Sequence, residues 1–175
     1  MERLFHKRFR RLQDLLLQYE NEVKNLSDGQ LNQTPGIGGW SINQVIHHIS
    51  GAESGIRLQI QKKLINPAEN KKAGIKSTYR SALLKYALRS KRKFRAPKIL
   101  TEPTGPYKAD ELFSQWKQTR KELENLLDSI PAEHKNRQLF KHPVVGKINL
   151  KQTLGFMADH MQRHLEQIQR IKSSL

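Results

Sequence analysis

His160 and His164 stand one helical turn apart in the segment Asn149–Ile171. Leu150, Leu154, Met157, Met161, Leu165, Ile168 and Ile171 recur there at helical spacing and define one apolar face. Winding the segment at about 100° per residue places both histidines within roughly 60° of Met157, inside that face. A core helix rarely points two imidazoles the same way, because each buried ring needs a hydrogen-bond partner. The spacing suits two nitrogen ligands of one metal ion. A third inward imidazole comes from the His47-His48 pair. The same winding turns His47 to solvent and sets His48 at the flank of an apolar stripe, beside Val45, Ala52 and Gly55. Three neutral nitrogens without a thiolate suit zinc, nickel, iron or manganese. They also leave coordination positions for water or substrate, the design of a catalytic metal site. The alternative is three histidines satisfied separately, in the core or half exposed.

Two polar residues share these helices. Gln167 lies on the His160/His164 side and reads either as a donor that orients a ligating ring or as an ordinary helix-flank amide. Glu53 falls near the middle of an apolar face, so its carboxylate must be paired. Its partner is either a ligating imidazole or an arginine from another helix.

Four long amphipathic helices have to position these groups. The first spans Arg3 to Leu26, with Phe5, Phe9, Leu12, Leu16, Tyr19, Val23 and Leu26 in steps of three and four. Ser27-Asp28-Gly29 stops it. Thr34–Gly39 is a loop by composition. Ser41 then caps a second helix, Gln44 completing a capping box, and this helix runs to Leu64. It buries Ile42, Val45, Ile46, Ile49, Ala52, Ile56 and Ile60. A short helix from Thr78 to Arg92 buries Leu83, Leu84, Ala87 and Leu88. An extended crossover marked by Pro97, Pro103, Gly105 and Pro106 follows. The third long helix, Ala109 to Ser129, has Leu112, Trp116, Thr119, Leu123, Leu126 and Ile130 as its stripe, with Trp116 in the core. Pro131 to Lys147 is irregular, and Asn149 caps the last helix with Gln152 at the third position. The expected fold is all-α, a four-helix bundle whose second and third long helices are joined by a long crossover carrying an extra short helix. No strand is expected, and residues 1–175 are read as one domain.

Composition narrows the chemistry. The chain of 175 residues has no cysteine, which excludes disulfides, thiolate metal sites and cysteine nucleophiles. Its opening residues are charged rather than apolar, and no window approaches the roughly 20 apolar residues of a membrane span. A soluble cytoplasmic protein is expected. Lys and Arg number 32 against 16 Asp and Glu, a net charge of +16. Such a surplus attracts polyanions, nucleic acid among them, although the charge is spread over most of the chain as on solvated helix faces. The densest run is Arg89–Lys98, where Phe94 would stack on a base if nucleic acid bound there.

Gly39-Trp40-Ser41-Ile42-Asn43-Gln44-Val45-Ile46-His47-His48-Ile49, taken with Phe156–Ile168, resembles the DinB-like superfamily, which includes the bacillithiol- and mycothiol-dependent transferases. The shared pattern is a Trp-Ser helix start with a histidine eight residues after the Trp, then His-x-x-x-His followed by Gln-Ile. Trp40 to His48 has that spacing. His142-Pro143 with Gly146 is similar to a subset of the family. The resemblance implies a four-helix bundle, a metal held between helices by His48, His160 and His164, and often a homodimer. It implies a divalent-metal-dependent enzyme that activates a low-molecular-weight thiol for attack on a small electrophile, or that hydrolyses or isomerises a small molecule. Gln167 and Arg163 then become candidate cofactor-binding residues, Arg163 for an acidic thiol. The competing readings are a metal-binding bundle without catalysis that acts in stress response, and a basic nucleic-acid-binding protein.

Overall fold

The computed structural model describes residues 3–36, 39–90 and 104–175. Six helices follow in order: α1 (Arg3–Val23), α2 (Asp28–Asn32), α3 (Ile42–Lys63), α4 (Ile75–Arg89), α5 (Ala109–Ser129) and α6 (Leu150–Lys172). The four long ones, α1, α3, α5 and α6, form the bundle, and α4 is the extra helix of the crossover. Helix α6 packs against α1, α3 and α4, while α3 also packs against α5. Helix α6, which carries His160 and His164, thus touches three other helices.

The stripes read from the sequence meet in one apolar core. Phe9, Leu12, Tyr19, Ile42, Ile46, Ile49, Ile60, Trp116, Leu123, Leu154 and Ile168 are all buried in it. Each such side chain stabilises the fold by about 1.5–3 kcal/mol relative to an exposed position. The helix starts are chemically specified. At α3 the Ser41 hydroxyl accepts from Gln44 N–H while the Gln44 side chain accepts from Ser41 N–H, and Asn149 and Gln152 repeat the exchange at α6. Both helices that carry the histidines are therefore fixed at the end nearest the loops.

Four expectations need correction. The first helix ends at Val23 rather than Leu26, and Ser27-Asp28-Gly29 is not only a stop: Ser27 makes a capping box with Gln30 and opens α2, whose Leu31 is buried. The α4 stripe is misplaced, because Leu83 is exposed while Leu84, Ala87 and Leu88 are only half buried against α6. Helix α4 turns Tyr79, Leu83 and Tyr86 outward, and its apolar residues do not gather on one face. On α5 the buried set includes Phe113, Arg120 and Leu127 in place of Thr119 and Leu126. Finally, residues 140–148 are not irregular. Strands β1 (Phe140–His142) and β2 (Gly146–Ile148) pair antiparallel, with Phe140 opposite Ile148 and His142 opposite Gly146. Gly146 takes φ +75°, the left-handed residue that closes a three-residue hairpin loop. Three-residue strands are too short to give a legible alternation.

The end of the crossover is pinned by its backbone. The Tyr107 carbonyl accepts from the side-chain amides of Asn32 and Asn43, at 2.9 and 2.8 Å, and Tyr107 N–H donates to Asn32 Oδ1 at 2.9 Å. This knot ties α2, the start of α3 and the approach to α5 together. Within the described residues, no helix is long and apolar enough to cross a membrane.

Candidate metal centre

A buried ion pair shares α3 and the core with the histidines. Glu53 of α3 is 3% exposed and Arg120 of α5 is 1% exposed. The guanidinium grips the carboxylate with two bonds, Nε to Oε1 at 2.5 Å and Nη2 to Oε2 at 2.6 Å, and Trp116 Nε1 donates to Oε2 at 2.8 Å. Of the two partners considered for Glu53, the structure supplies the arginine. A bidentate pair buried this deeply fixes the register of α3 on α5. Arg120 Nη2 also lies 3.7 Å from Met161 Sδ, on α6 between the two histidines.

One and a half turns before Glu53, His48 faces α6. Its ring centroid lies 5.4 Å from that of His160 and 5.1 Å from that of His164, and the latter two rings are 4.7 Å apart. A nitrogen from each of the three rings can be chosen so that all lie within 4.8 Å of one another, and these are the only residues of that kind grouped so among those described. Metal–nitrogen bonds of about 2.1 Å at tetrahedral angles separate ligand nitrogens by about 3.4 Å, so small side-chain movements bring the set to one ion. His47 points elsewhere: it is exposed and stacks on Tyr107 at 4.4 Å. The helical winding assigned both neighbours correctly.

Electrostatics suits neutral ligands. Burial pushes the His48 pKa down, with the neighbouring His47 adding to the effect. His160 is held well below the ordinary imidazole value, first by burial and then by His164, His48, His142 and Arg163. His164 drops to about 4, again chiefly through burial, and its bond to Gln167 opposes the shift. All three rings are uncharged at pH 7 and keep a lone pair for a cation. Gln167 Oε1 lies 2.8 Å from His164 Nδ1. An amide oxygen only accepts, so Gln167 orients the ring as an acceptor rather than as the expected donor, Nδ1 carries the proton and the Nε2 lone pair is left for a metal.

The walls are aromatic. Trp40, from the loop before α3, lies 5.1 Å from the His48 ring. Phe156 stacks on His160 at 5.3 Å and receives the edge of His142 at 4.5 Å. His142 stays out of the three-ring group. Its Nδ1 accepts from Val144 and Val145 N–H at 3.1 and 3.3 Å, closing its own hairpin turn, and burial lowers its pKa to about 4. Periodicity alone could not show the β1–β2 hairpin as a wall, because its ring contacts with α6 are made by Phe140 and His142 on Phe156, across a long sequence separation.

Arg163 takes a different place from Gln167. Its Nη1 donates to the carbonyls of Leu88 and Ser90, at 3.1 and 2.8 Å, which satisfies the C-terminal end of α4. It also lines a cavity of about 290 Å³ with Arg11, Arg89, Asp159 and Glu166. Of the Arg89–Lys98 run, Arg89 is paired with Asp159 at 3.0 Å, while Lys91 to Lys98, with Phe94, lie outside the described residues.

A family model described as DinB superfamily matches residues 8–168. The chain belongs to the DinB superfamily. Among relatives in this family, the "Uncharacterized protein YuaE" of Bacillus subtilis (strain 168) is 28% identical over 155 residues, covering 89% of this chain and 91% of the relative. A Bacillus cereus (strain 03BB102) protein called "Putative metal-dependent hydrolase" is 25% identical over 166 residues, covering 94% and 83%. The fold is similar to that of YfiT from Bacillus subtilis, with a TM-score of 0.59 at 17% identity over 99% of this chain and 89% of that one. YfiT is described as "a probable metal-dependent hydrolase with an unusual four-helix bundle topology".

Proposed function

We propose that His48, His160 and His164 hold one divalent cation, zinc, nickel, iron or manganese, and that the protein is a metal-dependent enzyme acting on a small electrophile. The observation that carries this reading is the convergence of three neutral imidazoles, from two helices, with nitrogens within 4.8 Å of one another. A cation held by three neutral nitrogens keeps its charge uncompensated, leaves positions open, and supplies the Lewis acidity that ionises a nucleophile near neutral pH. The protein's own residues do the positioning. Gln167 fixes the His164 tautomer, and Trp40 and Phe156 keep water from the flanks of the cluster.

The nucleophile we favour is an external low-molecular-weight thiol, as the family resemblance implies. The charges that shift the three rings come from other imidazoles and from arginines, with no carboxylate among them. Of the nearby acids, Glu53 and Asp159 are held by arginines. A thiol ionised by a Lewis acid needs no carboxylate base beside it, whereas a water nucleophile gains from one. Arg163, Arg11 and Arg89 would face the acid groups of such a thiol across their shared cavity. Water is the rival nucleophile, in line with the hydrolase names of the relatives. A homodimer is proposed on the resemblance alone, and light scattering would read it.

The test is turnover of a panel of electrophiles by protein loaded with each divalent metal, with and without added thiols. Conjugation that requires both metal and thiol is the expected result. Product formation without any thiol would assign hydrolysis instead, and no turnover in any arm would leave a metal-binding bundle without catalysis.

A further inference from the structure

Helices α1, α4 and α6 line a second cavity, of about 160 Å³, that Phe156 also borders. Arg8, Arg11, Lys85 and Lys151 line it against one acid, Asp159. That acid is already engaged, by Arg11 at 3.4 Å and by Arg89 at 3.0 Å from outside this cavity. Arg8 is the informative residue. Its Nε is buried and has no hydrogen-bond partner among the described residues, and the rest of its guanidinium borders the cavity. Its guanidinium lies on the backbone of α6 at Gly155, where an added Cβ would stand only 2.9 Å from Nη1. Glycine inside a helix is less favourable than alanine by about 1 kcal/mol, and here the missing methyl is what seats the guanidinium.

We propose that this cavity binds an oxyanion, a phosphate or carboxylate group, with Arg8 as its principal donor and Lys85 and Lys151 as supporting cations. Arginine presents a fork of donors that matches such oxygens. The volume is below that of pockets for whole drug-sized ligands, so the cavity fits an anionic head group rather than a complete molecule. Phe156 lines this cavity and stacks on His160, so one aromatic ring touches both the bound anion's cavity and the cluster. The anion is therefore the acidic end of the substrate. Only this last step rests on the metal-centre reading, and the binding itself is testable without metal.

The experiment titrates metal-free protein with inorganic phosphate and with acetate at constant ionic strength, by calorimetry and by the amide resonance of Gly155. Saturable binding is expected, and the stronger of the two arms identifies the head group. Arg8→Gln should weaken it about tenfold, the loss of one good charge-assisted interaction. Gly155→Ala should weaken it as well, because the methyl displaces Nη1. Its thermal midpoint should stay at or above wild type, since only the end of a flexible side chain has to move and alanine favours the helix. His48→Ala should bind the anion unchanged. No saturable response, equal binding of chloride, wild-type affinity in both Arg8→Gln and Gly155→Ala, or loss of binding in His48→Ala would each overturn the proposal.

Discussion

Replacing Glu53 by Met tests what holds the histidine-bearing helix α3 in place. Arg120 is 1% exposed, and Glu53 answers two of its donors as well as Trp116 Nε1. Removing the carboxylate leaves an uncompensated guanidinium and an unpaired indole N–H in the core. Breaking a buried pair in this way costs about 3–5 kcal/mol, a large share of the roughly 5–15 kcal/mol that holds a domain folded. With a urea dependence of about 2 kcal/mol per molar, the midpoint should fall by roughly 1.5–2.5 M. The double variant Glu53→Met/Arg120→Met removes both charges and fills much of the space with apolar atoms. It should recover most of the loss, because the penalty lies in the orphaned charge rather than in the missing pair. Urea unfolding followed by circular dichroism reads both variants. A shift below about 0.5 M for the single variant, or a double variant no more stable than the single, would refute the reasoning.

Two further outcomes follow from the site. Burial holds folded His142 at about 4 against an ordinary value near 6.5, so the unfolded chain takes up its proton first as the pH falls. Its contribution is therefore intact above about pH 6.5 and is lost at up to about 1.4 kcal/mol per pH unit down to about pH 4; His142→Gln should flatten the acid limb of a stability–pH curve, and an unchanged slope would contradict this. Gln167→Ala frees the His164 ring and should weaken metal affinity by about 10–100-fold, measured by competition with a chromophoric chelator; wild-type affinity would show that the bond at 2.8 Å does not orient a ligand.

The bundle and its three imidazoles were legible in the sequence because both depend on helical periodicity. The spacing of His160 and His164 and the winding around His48 are local properties of single helices, and capping boxes at Ser41 and Asn149 mark where two of those helices begin. The stripe on α5 was drawn by spacing through uncharged residues, so it passed over Arg120, a charged residue buried because a carboxylate on α3 meets it. The seat of Arg8 was hidden for a similar reason: Gly155 reads as a weak point in a helix until a guanidinium from α1 is seen to lie on it. The β1–β2 hairpin was missed because strands of three residues carry too little alternation, and its signal was the glycine that closes the loop. Pairings between distant segments leave no period in either one.

The most direct measurement is elemental analysis of protein purified without a histidine tag or chelating column, alongside His48→Ala prepared in the same way. One divalent metal ion per chain is expected in the wild type, with its loss in His48→Ala while the helical circular dichroism is retained. Equal metal content in the two proteins, or none in the wild type after incubation with zinc, nickel, iron and manganese, would contradict a centre built on His48, His160 and His164.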